Sequence, residues 1–354
     1  MQAPHTPDER RAKIEAVKEL ARRQEREAAQ ELLQAQDVGY TSKLFVQALF
    51  PYKQVEGNTY SIESGNSSVS IVSFNGVPYG KYPRLIMAYI ITRAVANAGR
   101  LKEGKIDEEQ ARRIPLGHSM SHFLQAIGIE LRANGGKRGN VTLLREQIKR
   151  LASSVITVQS DDGVHARGTN TQILDDWNLW FDPRDPNQGS FLESELVLTN
   201  RFFQHVAEAP IPIDLNVLRQ LRKPRAMDLY VWCTLKQYWL AKNSRDAYTF
   251  TWDMIADSFS TKKLTTAVER RNFRNEIKKA IHDILCVWPN AGITSNTDRC
   301  HVDQDSHLSP TATASSRTRL KRTQKTSALR ALSFYPKQLA LIYHHKLKAQ
   351  LRLR

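Results

Sequence analysis

Long apolar runs are missing from this sequence of 354 residues: none approaches the ~18 to 20 needed to cross a bilayer. Residues near the start include Asp8, Glu9, Arg10 and Arg11 in place of an apolar signal region, so a cytoplasmic protein is expected. Cysteine is scarce. Cys233, Cys286 and Cys300 are odd in number and widely spaced, which builds neither a disulfide framework nor a CxxC metal site. Cys286, Cys300, His301 and His307 follow no standard zinc spacing, and Cys233, among Leu229, Tyr230, Trp232 and Leu235, reads as core. No cofactor and no metal are expected.

Catalytic signatures are also absent. Gly117-His118-Ser119-Met120-Ser121 lacks the last glycine of a nucleophile elbow, and Ser119 and Ser121 read better as helix caps. Gly135-Gly136-Lys137-Arg138 has neither the spacing nor the Ser/Thr of a P-loop, which argues against unwinding of DNA by the chain's own ATP hydrolysis. His344-His345 beside Tyr343 lacks the intervening apolar residue of a nicking initiator's metal pair. Asp161-Asp162 and Asp175-Asp176 fall in a turn and at a strand edge, where solvated acids are common. The expectation is a protein that is not an enzyme.

Acidic residues vanish at one end. Residues 311–354 hold eleven Lys or Arg and no Asp or Glu, leaving 41 basic and 36 acidic side chains for the rest of a chain whose net charge is +16. The folded part is thus only mildly basic. Such a tail suits salt-dependent phosphate contact, and equally suits a disordered solubilising extension.

The most informative stretch is 117–160. A short helical pattern (Ser121, Phe123, Leu124, Ile127) precedes a bend at Asn134, Gly135 and Gly136, a longer helical pattern, and a β-type run from Val155 to Val158. Val141, Leu144, Ile148 and Leu151 make one apolar stripe on the longer helix, while Arg138, Thr142, Arg145 and Lys149 recur on another face. A helix buried on one side and basic on the other suits a major groove; a merely solvated amphipathic helix fits the same pattern.

Residues 8–36, rich in Ala, Glu, Arg, Gln and Leu, predict an exposed helical arm with too thin an apolar seam for a coiled coil. Residues 58–74 alternate about Gly65-Asn66 as a hairpin, and Lys81 to Ala98 reads as a helix with Pro83 in its first turn and Leu85, Ala88, Tyr89, Thr92 and Val95 facing the core. Arg112 to Leu116 is a short strand candidate. Strand patterns at 155–159 and 170–181 flank a loose polar tip, Ser160 to Gly168, and Pro183 to Gly189 reads as a linker. Three helices followed by a hairpin is the order of a winged helix-turn-helix domain.

The order then repeats. A strand at 191–198 leads to helices at 200–207 and 214–221, separated by Pro210 and Pro212, then to an apolar helix at 226–240 preceded by Pro224. A short helix at 252–259 precedes a long one at 265–287, with Phe273, Ile277, Ile281 and Ile284 on one side. Arg271, Arg274 and Lys278 lie opposite, with Arg270 adjacent. Trp232, Tyr238, Trp239, Trp252 and Trp288 fit core packing better than base stacking, and Trp177 and Trp180 fall near the first hairpin or the domain interface. The fold class expected is α+β: two tandem winged helix-turn-helix domains, helix-rich with small hairpins, at 40–188 and 189–310. A helical arm at 1–39 and a basic tail at 311–354 flank them.

Several blocks together carry a resemblance: Pro78-Tyr79-Gly80-Lys81-Tyr82-Pro83-Arg84-Leu85, LGHSMSHFLQAIGI, the GGKRG bend, LREQIKRL, Ala209 to Asp214, and Pro224-Arg225-Ala226-Met227-Asp228-Leu229-Tyr230. Over residues 40–290 the chain resembles the plasmid-encoded replication initiators called RepA. The resemblance implies binding of repeated double-stranded DNA sequences at a plasmid origin, opening of adjacent AT-rich DNA, and recruitment of host initiator and replicative helicase. It also implies repression of its own gene, often as a homodimer. Carried onto this sequence, the DNA-contacting residues are Arg138, Asn140, Thr142, Arg145 and Lys149, with His165 and Arg167 on the hairpin. In the second half they are Arg270, Arg271, Arg274 and Lys278, with Lys262 and Lys263 at the helix entrance. The resemblance implies a second hairpin after Pro289, but SNTDRCHVDQDSHLSPTATASS reads as polar and irregular there. A transcriptional repressor or a plasmid partition or copy-control factor using the same helices is the alternative, and a protein-interaction scaffold a third.

Overall fold

The computed structural model describes residues 38–303 except 43–44, 47–49, 65–66, 118, 131–138, 162–163, 180–193, 244, 261–262 and 296–298. The expected arm, the bend at 134–136, Arg138, Lys262, Trp180, the linker at 183–189 and the tail lie outside the described residues. The chain begins with β1 (Val38–Ser42), β2 (Thr59–Ser64), β3 (Ser67–Ser73), α1 (Lys81–Lys102) and α2 (Glu108–Arg112). It continues through β4 (Arg113–Gly117), α3 (Met120–Ala126), α4 (Asn140–Ala152), β5 (Ser154–Asp161), β6 (Ala166–Gln172), β7 (Leu174–Asn178) and β8 (Ser194–Leu198). The second half adds α5 (Asn200–Glu208), β9 (Pro210–Asp214), α6 (Leu215–Gln220), α7 (Pro224–Lys242) and β10 (Ala247–Thr251). It ends with α8 (Trp252–Phe259), α9 (Ala267–Val287), β11 (Ile293–Ser295) and β12 (Arg299–Asp303).

The predicted hairpin at 58–74 and the one after α4 join into a single antiparallel sheet ordered β2-β3-β5-β6. Period-two alternation sends Ile62, Val69, Ile71 and Ile156 inward and leaves Ser61, Ser70, Thr157 and Asn170 on the outer face. The register pairs Ser67 with Ser160, so both hairpin turns lie at the same end of the sheet. The tip is shorter than the loose Ser160–Gly168 loop the composition predicts. Pairing runs out to Asp161 and Ala166, because the ladder continues through residues whose side chains are polar but whose backbone is free to pair. The single strand expected at 170–181 breaks at buried Ile173, and β7 passes to another sheet, β4-β8-β7.

That sheet crosses the midpoint of the chain: β8 pairs with β4 and β7 of the first half. So does the two-stranded β1–β9 pair. The prolines at 210 and 212 suggest a break, yet they sit in β9. They occupy alternate positions, so both missing N–H groups fall on the edge facing away from β1. Gly39 in β1 is required by close approach: a Cβ there would lie 2.3 Å from Leu215 Cγ. One apolar core cluster runs through both halves.

Helix α1 is its axis. It packs on β1, α2, α4, α5 and α7. Leu85 and Ala88 are buried as their spacing predicts, but Tyr89, Thr92 and Val95 are half-buried, whereas Ile86, Ile90, Ile91 and Ala94 are fully enclosed. Neighbours on several sides erase the one-sided stripe expected of a surface helix. Of the expected caps, Ser119 is found, and α9 has one that was not expected. Ser119 Oγ accepts from His122 N, and Thr266 and Glu269 form a capping box at α9. Ser121, by contrast, lies inside α3.

The stretch after Pro289 is corrected. Where the composition reads as irregular, β11 and β12 form a hairpin, and β12 pairs on its other side with β10. Ile293, Cys300 and Val302 supply the buried face, a two-residue alternation masked by the polar residues between them.

Candidate nucleic-acid interface

The apolar stripe on α4 is buried as its spacing predicts: Val141, Leu144, Ile148 and Leu151 are all enclosed. Thr142, Arg145 and Lys149 are half-buried on the remaining surface. Asn140, which the resemblance gives a groove contact, also holds the start of the helix. Its Nδ2 donates to Glu130 O and its Oδ1 accepts from the Tyr82 hydroxyl, both at 2.8 Å. With both ends of the amide engaged, Asn140 anchors the helix start, where Gly139 offers no side-chain cap. Arg150 is also structural: its guanidinium pairs with Glu146, donates to Val77 O at 3.0 Å and lies 5.1 Å from the Tyr79 ring centroid. Gln147, the other buried polar residue of α4, accepts from Tyr79 N.

The hairpin that follows carries His165 and Arg167, both exposed, with Arg167 opposite Ser160. On α9, Phe273, Ile277, Ala280, Ile281 and Ile284 face inward. Arg270, Arg271 and Lys278 are exposed, and Lys263 is exposed before the helix. Lys278 Nζ lies 5.9 Å from the Trp252 ring centroid. Arg274 sits on the flank of the helix, half-buried, not on its outer face. It shares one feature with Arg145. In both, Nε is enclosed without a hydrogen-bond partner among the described residues, as is Nε of Arg93. An enclosed donor left unpaired costs about 1–3 kcal/mol.

Trp232, Trp252 and Trp288 are buried, as core packing predicts, with Trp232 against Phe250 and Phe259. Trp239 differs: it is 42% exposed, with Arg245 5.4 Å from its ring centroid. Cys233 is buried and Cys300 is buried on the inner face of β12, while Cys286 is exposed. Burial pushes the Cys300 thiol up to about 11.

The charges that sequence spacing passed over are Arg84, Arg225 and Asp228. They sit in the quoted blocks beginning at Pro78 and Pro224, but nothing in the spacing marked them out. The available signal was a lone charge inside an apolar helix segment: Arg84 beside Pro83 and Leu85, and Asp228 between Met227 and Leu229. Each is unaffordable alone in a core, so opposite signs predict a pair. In the structure Arg84 and Asp228 meet at 2.6 Å with side chains 6% and 9% exposed. Burial raises the Asp228 carboxyl above its ordinary range, against the pull of Arg84.

Among the described residues, no helix is long and apolar enough to cross a membrane. Residues 77–254, just over half of the chain, match the family described as plasmid encoded RepA protein. No curated protein matches the sequence. Among solved structures, the crystal structure of selenomethionine derivatives of domains 2 and 3 of RctB is similar at 12% identity and a TM-score of 0.44. That similarity covers 73% of this chain and 94% of that one.

Proposed function

The chain belongs to the family of plasmid-encoded RepA proteins, and from that premise we propose that it is a replication initiator gripping duplex DNA with α4 and α9. Each half is read as a winged helix-turn-helix unit, α4 with the β5–β6 hairpin and α9 with the β11–β12 hairpin. The observation that carries the proposal is the repetition of one design. Two long helices are pinned by an apolar side and leave cations on the other. Arg145 and Arg274 suit guanine edges; Lys149, Lys263, Arg270, Arg271 and Lys278 suit phosphates, with His165 and Arg167 on the adjacent backbone. Two readers in one body suit successive major grooves about one helical turn apart.

The finer reading follows the family. The protein binds repeated sequences at a plasmid origin in the cytoplasm, promotes opening of neighbouring AT-rich DNA and recruits host initiator and helicase. It has no catalytic step of its own, and a homodimeric form represses its own gene. Footprinting on the DNA flanking the gene tests this. Direct repeats of about twenty base pairs beside an AT-rich segment are expected, two turns at ~10 to 10.5 base pairs each. Protection of a lone promoter palindrome would support a repressor instead. Loss of all duplex binding on removal of residues 311–354 would overturn both.

A further inference from the structure

A set of contacts, linked through the backbone of α1 and the ring of Tyr52, runs between the two reading helices through the centre of the molecule. It starts on α4, where Asn140 Oδ1 accepts from the Tyr82 hydroxyl of α1. Two residues further along α1, Arg84 forms a two-point pair with Asp228 of α7, Nε to Oδ1 and Nη2 to Oδ2, both at 2.6 Å. Arg84 also donates to Gly80 O and Phe50 O. The Tyr52 ring is shared by two cations, with Arg84 5.3 Å and Arg225 4.4 Å from its centroid. Arg225, one turn before Asp228 on α7, pairs with Glu276 of α9 at 2.8 Å and lies 5.6 Å from the Phe273 centroid.

The guanidinium–carboxylate fork of Arg84 and Asp228 fixes orientation as well as distance, and that enclosed pair has no water to exchange into. At the outer link to α9, by contrast, the Glu276 side chain is 55% exposed. We infer that this spine holds α4 and α9 at one separation and one rotational setting, making Arg84, Arg225, Asp228 and Glu276 positioning residues that set the spacing of the two contacted DNA segments. The inference rests on the duplex-binding reading above. The four act through the helices they hold, and the bases are read by other side chains. One extra base pair between the segments displaces the second by about 3.4 Å and turns it by about 35°. A rigid pair of readers cannot follow that movement; a loosened pair can.

The test uses the full chain and duplexes that the wild type enriches from a random-sequence pool, with both contacted segments mapped by footprinting. A one-base-pair insertion between the segments is expected to weaken wild-type binding roughly tenfold or more, the scale of one lost base contact. In the double variant Arg84→Met with Asp228→Leu, which replaces the pair by apolar groups of similar volume, the same insertion should cost less than about threefold. Glu276→Gln, at the outer end of the spine, should show an intermediate penalty and serves if the double variant does not fold. An unchanged penalty in the folded variants, or a wild type indifferent to the insertion, overturns the inference while leaving duplex binding intact. Failure of the wild type to enrich any duplex would instead overturn the reading beneath it.

Discussion

Replacing Asp228 by alanine leaves Arg84 charged, enclosed and short of its two-point partner. The guanidinium side chain is only 6% exposed, so water cannot take the carboxylate's place without opening the interface between α1 and α7. The carbonyls of Gly80 and Phe50 still accept from it, but they are dipoles facing a full charge. Breaking such a pair from one side costs about 3–5 kcal/mol, whereas exchanging both partners for apolar groups is close to neutral. Urea unfolding of wild type, Asp228→Ala, Arg84→Met and the Arg84→Met/Asp228→Leu double variant should therefore rank the two singles well below the double. The double should lie within about 1–2 kcal/mol of wild type. If Asp228→Ala costs under about 1 kcal/mol, the pair is not the enclosed contact its distances describe, and the reasoning fails.

Arg145→Ala should cost about 1–3 kcal/mol on a selected duplex and blur preference at one position, whereas Lys149→Ala should weaken all duplexes alike and reduce the salt slope by about 1; competition gel shifts at two salt concentrations separate them. Gly39→Ala should destabilise by about 1–3 kcal/mol, because the new Cβ would meet Leu215 Cγ at 2.3 Å and push β1 off β9; thermal unfolding reads the loss. In the native protein a thiol reagent at neutral pH should label Cys286 first. Cys233 and Cys300 should react only after denaturation, since burial raises both thiols, and mass spectrometry of the labelled peptides decides it.

Local pattern and remote contact divide this protein between them. The period of apolar residues alone marked the buried sides of α4 and α9, since 3.6-residue spacing reports a single buried face wherever a helix has one. The hairpin at 58–74 was equally legible, from alternation about a Gly-Asn turn. In the stretch after Pro289 the same alternation was present but carried by Ile293, Cys300 and Val302 alone, too few against polar neighbours to be read. Asn140 shows the other limit: its position suggested a groove contact, but its bonds to Tyr82 and to the Glu130 carbonyl, which hold the helix start, could not be read from spacing. What only tertiary structure decided is how the halves join. Strands β1 and β8 pair across the midpoint of the chain, and Arg84 finds Asp228 144 residues away. Backbone edges and buried charges must be satisfied somewhere, but periodicity says nothing about where, because the partner's identity depends on which surfaces the folded chain brings together.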